Sequence, residues 1–140
     1  MNRRLLVEAD GGSRGNPGAA GYGAVVRDAR SGEVLAEVSE SIGRATNNVA
    51  EYQALLHALS YAIEQGAKRV TICSDSELVV RQMEGAYKVK HPSMVPLHRE
   101  AKALLARFEE ARIRHVPREE NREADRLANE AVDKKDSKLK

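Results

Sequence analysis

Cysteine is almost missing from this chain. Among 140 residues there is one, Cys73, inside the run "RVTICSD". A single thiol closes no intramolecular disulfide and makes no zinc site. A buried strand position is the expectation for it. Long apolar runs are missing too, and nothing approaches the roughly 20 residues that a membrane-spanning helix needs. The opening "MNRRLLVEADGG" is too short for the apolar core of a secretory signal. The expectation is a cytoplasmic protein with no membrane partner. Nor is there a marked excess of one charge. Lys and Arg total 23 and Asp and Glu total 21, a formal net charge of +2. That is a faint pointer to nucleic acid, and a non-specific basic binder would carry more. Repeats and linkers are absent. The length suits one domain with a real core, taken as residues 1–133, followed by a polar tail over 134–140.

What is present is a run of strands and then of helices. "RRLLVEA" (3–9) is apolar and leads into glycines, which reads as a strand. "AGYGAVVRDA" (20–29) and "EVLAEVSES" (33–41) flank the turn signal Ser31-Gly32 and read as a hairpin. A helix is expected over 46–66. Thr46 and Asn47 can cap it, Gly66 can end it, and Tyr52, Leu55, Leu56, Leu59, Ala62 and Ile63 recur at helical spacing. Then follow a strand (69–74), a short helix (75–84), a loop (85–96), a helix (97–111), a strand (112–117) and a last helix (121–132). The expected fold class is α/β: a five-stranded mixed sheet with helices on both faces. The first three strands would be antiparallel and the last two parallel to the first.

The carboxylates fall in telling places. Asp10 ends the first strand and Asp75 the fourth. Open α/β sheets bind ligands outside those ends. Glu51 lies one turn before Leu55 and two before Leu59, on the apolar stripe of its helix. A carboxylate there is costly unless paired or metal-bound. Asp125 sits at the rim of the last helix's apolar face. Each acid also has an ordinary reading. Asp10 can open a turn, Asp75 can cap a helix in "SDSE", and Glu51 and Asp125 can favour helix N-termini. Together the four converge on one end of one sheet. Two carboxylates about 4 Å apart repel by on the order of 1–4 kcal/mol, so such a cluster holds protons or cations. Oxygen-only ligands favour Mg²⁺ or Mn²⁺ over zinc, and two such ions can clamp a phosphodiester. A phosphate-binding loop is excluded, because no Gly-Lys-Ser/Thr follows the glycines.

"DGGSRGNPGAAGYG", "TNNVAEYQALLHAL", "SDSELVV" and "NREADRLANEA" resemble, in order and spacing, the motifs of type 1 ribonuclease H, and most of all its compact archaeal and actinobacterial kind. The resemblance covers roughly residues 4–133. It implies a ribonuclease H-like fold and a monomer that cuts the RNA strand of RNA–DNA hybrids with two divalent ions, Mg²⁺ or Mn²⁺. The products would carry 3′-hydroxyl and 5′-phosphate ends. It also implies that Asp10 bridges both metals, that Glu51 and Asp75 hold the ion near the leaving 3′-oxygen, and that Asp125 helps hold the ion that activates water. Gly11, Gly12, Arg14, Asn16, Asn47 and Ser76 match positions that touch the hybrid. Asn and Ser suit a 2′-hydroxyl, the group that separates RNA from DNA. Gly11, Gly12 and Gly15 would let backbone approach the sugar–phosphate chain, while Gly18, Gly21 and Gly23 would serve the return into the second strand.

The chain departs from the family pattern in three places. The basic protrusion is reduced to "GAYKVKHPSM", with Lys88, Lys90 and His91. Glu77 stands where many members have glutamine. The auxiliary histidine of the loop before the last helix is either His115 or lost to a shortened loop, with Arg118 or Glu119 in its place; the shortened loop is favoured. A hybrid-binding module without catalysis and another nuclease on the same fold are the competing readings.

Overall fold

The computed structural model describes residues 3–139, with side chains as far as Asp133. The strands are β1 (Arg4–Arg14), β2 (Gly18–Asp28), β3 (Val34–Ala45), β4 (Arg69–Ser74) and β5 (Glu110–His115). The helices are α1 (Asn47–Glu64), α2 (Glu77–Met83), α3 (Val95–Leu105) and α4 (Arg122–Leu139), and one 3-10 turn spans Arg118–Glu120. The sheet order is β3-β2-β1-β4-β5. β1, β2 and β3 pair antiparallel, and β1, β4 and β5 pair parallel. The expected α/β architecture is the one observed.

Alternation builds the sheet's two faces. Leu5, Val7 and Ala9 point inward and are buried, and Ile72 and Val70 join them from β4. Tyr52, Leu55 and Leu59 of α1 close this core. Burying each such large side chain contributes about 1.5–3 kcal/mol. Tyr22 lies on the α1 face, where its hydroxyl bonds His57 Nδ1 at 2.7 Å. Gly21 and Gly23 alternate with it, so they face the other way, under α4. Ser39 Oγ donates to the Leu127 carbonyl at 2.7 Å, which fixes α4 on β3.

This corrects the reading of the glycines. β1 and β2 run straight through the glycine-rich stretch, with Gly12 opposite Gly21 and Arg14 opposite Ala19. Gly21 and Gly23 are mid-strand and serve no return turn. A Cβ on Gly21 would lie 2.7 Å from the Ala131 Cβ, and one on Gly23 2.5 Å from the Leu127 Cβ. They are glycines because a helix presses on them. The turn itself uses Gly15, at φ +84°, and Gly18, whose Cβ would fall 1.7 Å from the Arg14 carbonyl oxygen.

Other boundaries differ as well. Helix α3 stops at Leu105 rather than 111, because the amides of Glu109 and Glu110 both donate to the Lys68 carbonyl and β5 begins there, in register with β4. β5 accordingly ends at His115, not 117. Helix α4 continues to Leu139, so the polar run expected as a tail is helical; its side chains lie outside the described residues. Cys73 is buried and free, as expected, and burial pushes its thiol pKa up. Among the described residues no helix is long and apolar enough to cross a membrane.

One polar network ties the helices together. Tyr52, fully buried, donates its hydroxyl to Gln82 Oε1 at 2.5 Å, and Gln82 Nε2 donates to the Lys88 carbonyl. Tyr52→Phe leaves a buried acceptor unpaired and should destabilise by about 1–2 kcal/mol. A urea transition with a lower midpoint and unchanged slope would register that loss.

Candidate active site

The parallel pairing of β1 with β4 ends at Ala9 opposite Ser74. The next residues are Asp10 and Asp75. Beyond this point β1 stays paired only with β2, and β4 turns away into α2. A cleft of about 380 Å³ opens here, at the carboxyl ends of the parallel strands. Helix α1 begins beside it. Thr46 Oγ1 accepts from the Val49 amide at 3.2 Å as the N-cap, and Glu51 follows one turn into the helix. Ser76 caps α2, accepting from the Val79 amide. Asp75 is therefore not the cap that "SDSE" allowed, and its carboxylate is available to the cleft.

Asp10, Glu51 and Asp75 each offer an oxygen within 4.8 Å of the others. Asp10 and Glu51 are buried, each 6% exposed. The Gly11 amide donates to Asp10 Oδ1 and to Glu51 Oε1, both at 3.0 Å, and so holds the two carboxyls side by side. Burial pushes the Asp10 pKa far above the carboxylate range, and the charges of Glu51 and Asp75 push it further. Burial also raises Glu51, against the opposing bonds from Asp10 and Gly11. A protein that buries two acids together destabilises itself unless a cation joins them. The donors are oxygens only, which suits a hard divalent cation such as Mg²⁺ or Mn²⁺.

Asp125 borders the same cleft from α4, and Arg118 Nη2 reaches its Oδ1 at 3.3 Å. The carboxylate of Asp125 keeps the guanidinium charged, and Asp10 and Asp75 act in the same sense. Arg118 lies in the 3-10 turn and lines the cleft. His115 is exposed at the end of β5, and Glu119 is exposed in the turn. Arg118→Gln removes a cation that competes for Asp125. Mn²⁺ binding measured by calorimetry should tighten a few-fold, in keeping with a mostly exposed pair worth under about 1 kcal/mol.

The residues expected to touch a hybrid lie around this cleft. Asn47 Oδ1 accepts from the Ser13 amide at 3.2 Å, and Asn16 Oδ1 accepts from the Asn47 amide at 3.0 Å. These bonds fix the 13–16 turn to the start of α1. Gly12, Arg14 and Ser76 line the cleft, and Arg14 pairs with Asp133 of α4. Gly11 is buried, with its amide turned inward to the acids. Sequence reasoning misses Asn121, which it places as the first residue of the last helix. In the structure it is fully buried, and its Nδ2 donates to the Ala9 carbonyl at 2.9 Å.

A five-stranded mixed sheet in the order β3-β2-β1-β4-β5 with acids at the ends of its parallel strands is the ribonuclease H fold, and the comparisons with known proteins agree. The family described as Reverse transcriptase-like matches residues 8–131, a span that includes all four acids. The chain belongs to the ribonuclease H family, as a type 1 member. It is 53% identical over 130 residues to the bifunctional protein Rv2228c of Mycobacterium tuberculosis, covering 93% of this chain and 36% of that protein. The chain thus spans about a third of that relative's length. The solved structure of the N-terminal RNase H domain of Rv2228c, a fusion with maltose binding protein, superposes with a TM-score of 0.89, covering 92% of this chain and 98% of that one. RNase H1 from Halobacterium salinarum is 44% identical, with a TM-score of 0.89 over 94% of this chain and 98% of its own. LC11-RNase H1, crystallised in complex with an RNA/DNA hybrid, is 44% identical at a TM-score of 0.86, covering 93% of this chain and 97% of that one.

Proposed function

We propose that this chain is a monomeric endonuclease that hydrolyses the RNA strand of RNA–DNA hybrids with two divalent ions. One observation carries the reading: three acids from three elements converge within 4.8 Å in an open cleft. Asp10, Glu51 and Asp75 would hold one Mg²⁺ or Mn²⁺, and Asp10 with Asp125 a second. When bound, such ions stabilise charge on the attacking water and on the leaving oxygen.

The chain's own groups bind and orient. The Gly11 amide aligns Asp10 and Glu51. The side-chain oxygens of Asn16 and Asn47 are engaged in the fold, which leaves each amide NH₂ to donate to a sugar 2′-hydroxyl. Ser76 Oγ accepts within its cap, so its hydroxyl proton is free to donate as well. Gly12 gives room for a backbone to approach, and Arg14 and Arg118 supply positive charge at the rim. Glu51 and Asp75 serve the leaving side, and Asp125 the side of the attacking water. In the reaction the water oxygen bonds to phosphorus as the P–O3′ bond breaks. The water releases its proton to solvent, and the 3′-oxygen takes one up. The products are a 3′-hydroxyl and a 5′-phosphate.

The test is a cleavage assay comparing an RNA–DNA hybrid, double-stranded RNA and a duplex with one ribonucleotide, each with Mg²⁺ and with Mn²⁺. Cutting of the hybrid's RNA strand alone, and only with metal, is expected. Hybrid binding with no cutting under any metal would instead identify a recognition module.

A further inference from the structure

Asn121 stands out among the largest fully buried side chains because it is an amide in an otherwise apolar and tyrosine company. It joins the 118–120 turn to α4. Its amide donates to the Arg118 carbonyl at 2.9 Å, and its carbonyl accepts from the Asp125 amide at 3.0 Å. Its Nδ2 donates to the Ala9 carbonyl at 2.9 Å. Its Oδ1 is buried and has no hydrogen-bond partner among the described residues. An asparagine ahead of a helix ordinarily turns its oxygen to the helix's own free amides. This one turns its amide to β1 instead.

Stability alone does not explain that choice. A buried oxygen without a partner is a cost, and it offsets part of what the bond to the Ala9 carbonyl contributes. What the bond achieves lies at its two ends. Ala9 is the last β1 residue in register with β4, and Asp10 follows it. Asp125 is one helical turn on from Asn121, bonded to its carbonyl. A single residue thus connects the peptide before Asp10 to the amide of Asp125.

We infer that Asn121 is a positioning residue that sets the spacing between Asp10 and Asp125. It does so by bonding the first turn of α4 to the β1 peptide that precedes Asp10. The inference rests on the site being a divalent-metal nuclease. Without this bond α4 still sits on the sheet through Ala124, Leu127 and Ala131, which are buried, and through the Ser39 bond. The fold survives, but the first turn of α4 is free to shift. Misplacement by about 1 Å can cost on the order of 10²-fold in rate.

The test uses N121L in the full chain, with two readouts. The first is kcat and KM on an RNA–DNA hybrid. The second is thermal stability without metal and across a MnCl₂ titration. The expected result is a folded protein with a metal-free Tm lowered by no more than several degrees, KM within about twofold, kcat at least about tenfold lower, and Mn²⁺ stabilisation displaced to several-fold higher concentration. In a D125N background, N121L should lower kcat no further, since its effect passes through Asp125. N121L with parental kcat and parental Mn²⁺ dependence overturns the inference. So does loss of folding in both N121L and N121A, which would make the bond purely structural. A parent protein that neither gains stability from Mn²⁺ nor cuts hybrid overturns the nuclease reading itself, and this one with it.

Discussion

Asp10→Asn is expected to stop hybrid cleavage while making the metal-free protein more stable. The loss should be on the order of 10³-fold, about 4 kcal/mol of transition-state stabilisation. Asp10 is the acid proposed to serve both ions, and an amide oxygen carries no charge to hold them. The gain in stability follows from the same burial. In the folded chain Asp10 and Glu51 keep their protons to a higher pH than usual. In the unfolded chain both release them near about pH 4. Above that pH the folded state binds more protons than the unfolded state, so stability falls as pH rises. The contribution is fully present below the unfolded values and is lost as pH climbs through the raised ones. The Asp10→Asn substitution removes one of the titrating groups. In EDTA the Tm of D10N should therefore exceed the parent's at pH 8, and the gap should shrink at pH 5. Because the substitution removes the cost of holding that proton, the gap should be several degrees. A gap that is absent, or that widens toward acid, would contradict this arrangement of the acids. Added Mn²⁺ should reverse the order, stabilising the parent more than the variant.

Gly11→Ala should produce a large loss of stability from one methyl group. The new Cβ would lie 2.4 Å from both the carbonyl carbon and oxygen of Ala50, and 2.6 Å from the Glu51 amide nitrogen. These are helix backbone atoms, so no side chain can swing aside. Either α1 lifts from β1 or the strand bends. Overpacking of this kind costs about 3 kcal/mol, enough to lower Tm by roughly 10 °C in a chain of this size. The lifted turn of α1 carries Glu51, and the Gly11 amide is what holds Glu51 beside Asp10. Cleavage should therefore fall even at temperatures where the variant is folded. Gly12→Ala is the control. Its Cβ would meet the Asn47 Oδ1 at 3.5 Å, an ordinary contact. It should fold like the parent and raise KM for the hybrid, because it narrows the approach to the cleft. A G11A urea midpoint within about 1 kcal/mol of the parent would show that α1 yields easily.

The resemblance to ribonuclease H was legible because its signals are local. Glu51 on an apolar helical stripe is odd within the nine residues 51–59. Asp10 and Asp75 each end an apolar strand, and the crossover rule makes those strands parallel neighbours. Cap chemistry is local too, so Thr46 could be read as the start of α1 before any tertiary contact was known. Three things could not be read this way. Gly21 and Gly23 looked like turn residues because sequence shows a missing side chain but not what fills its place. That is α4, more than a hundred residues away. The early stop of α3 is invisible locally, since "RFEEA" suits a helix until the Lys68 carbonyl claims two of its amides. Asn121 reads as the first residue of a helix until its side chain is seen on the Ala9 carbonyl. The sequence by itself determined the strand and helix order, the four acids and the chemistry that four acids allow. Only the tertiary structure decided which acids share a cation's reach, which glycines carry a helix and which amide spaces the site. Periodicity and caps act within a few turns of chain, whereas those distances are set between elements brought together by packing.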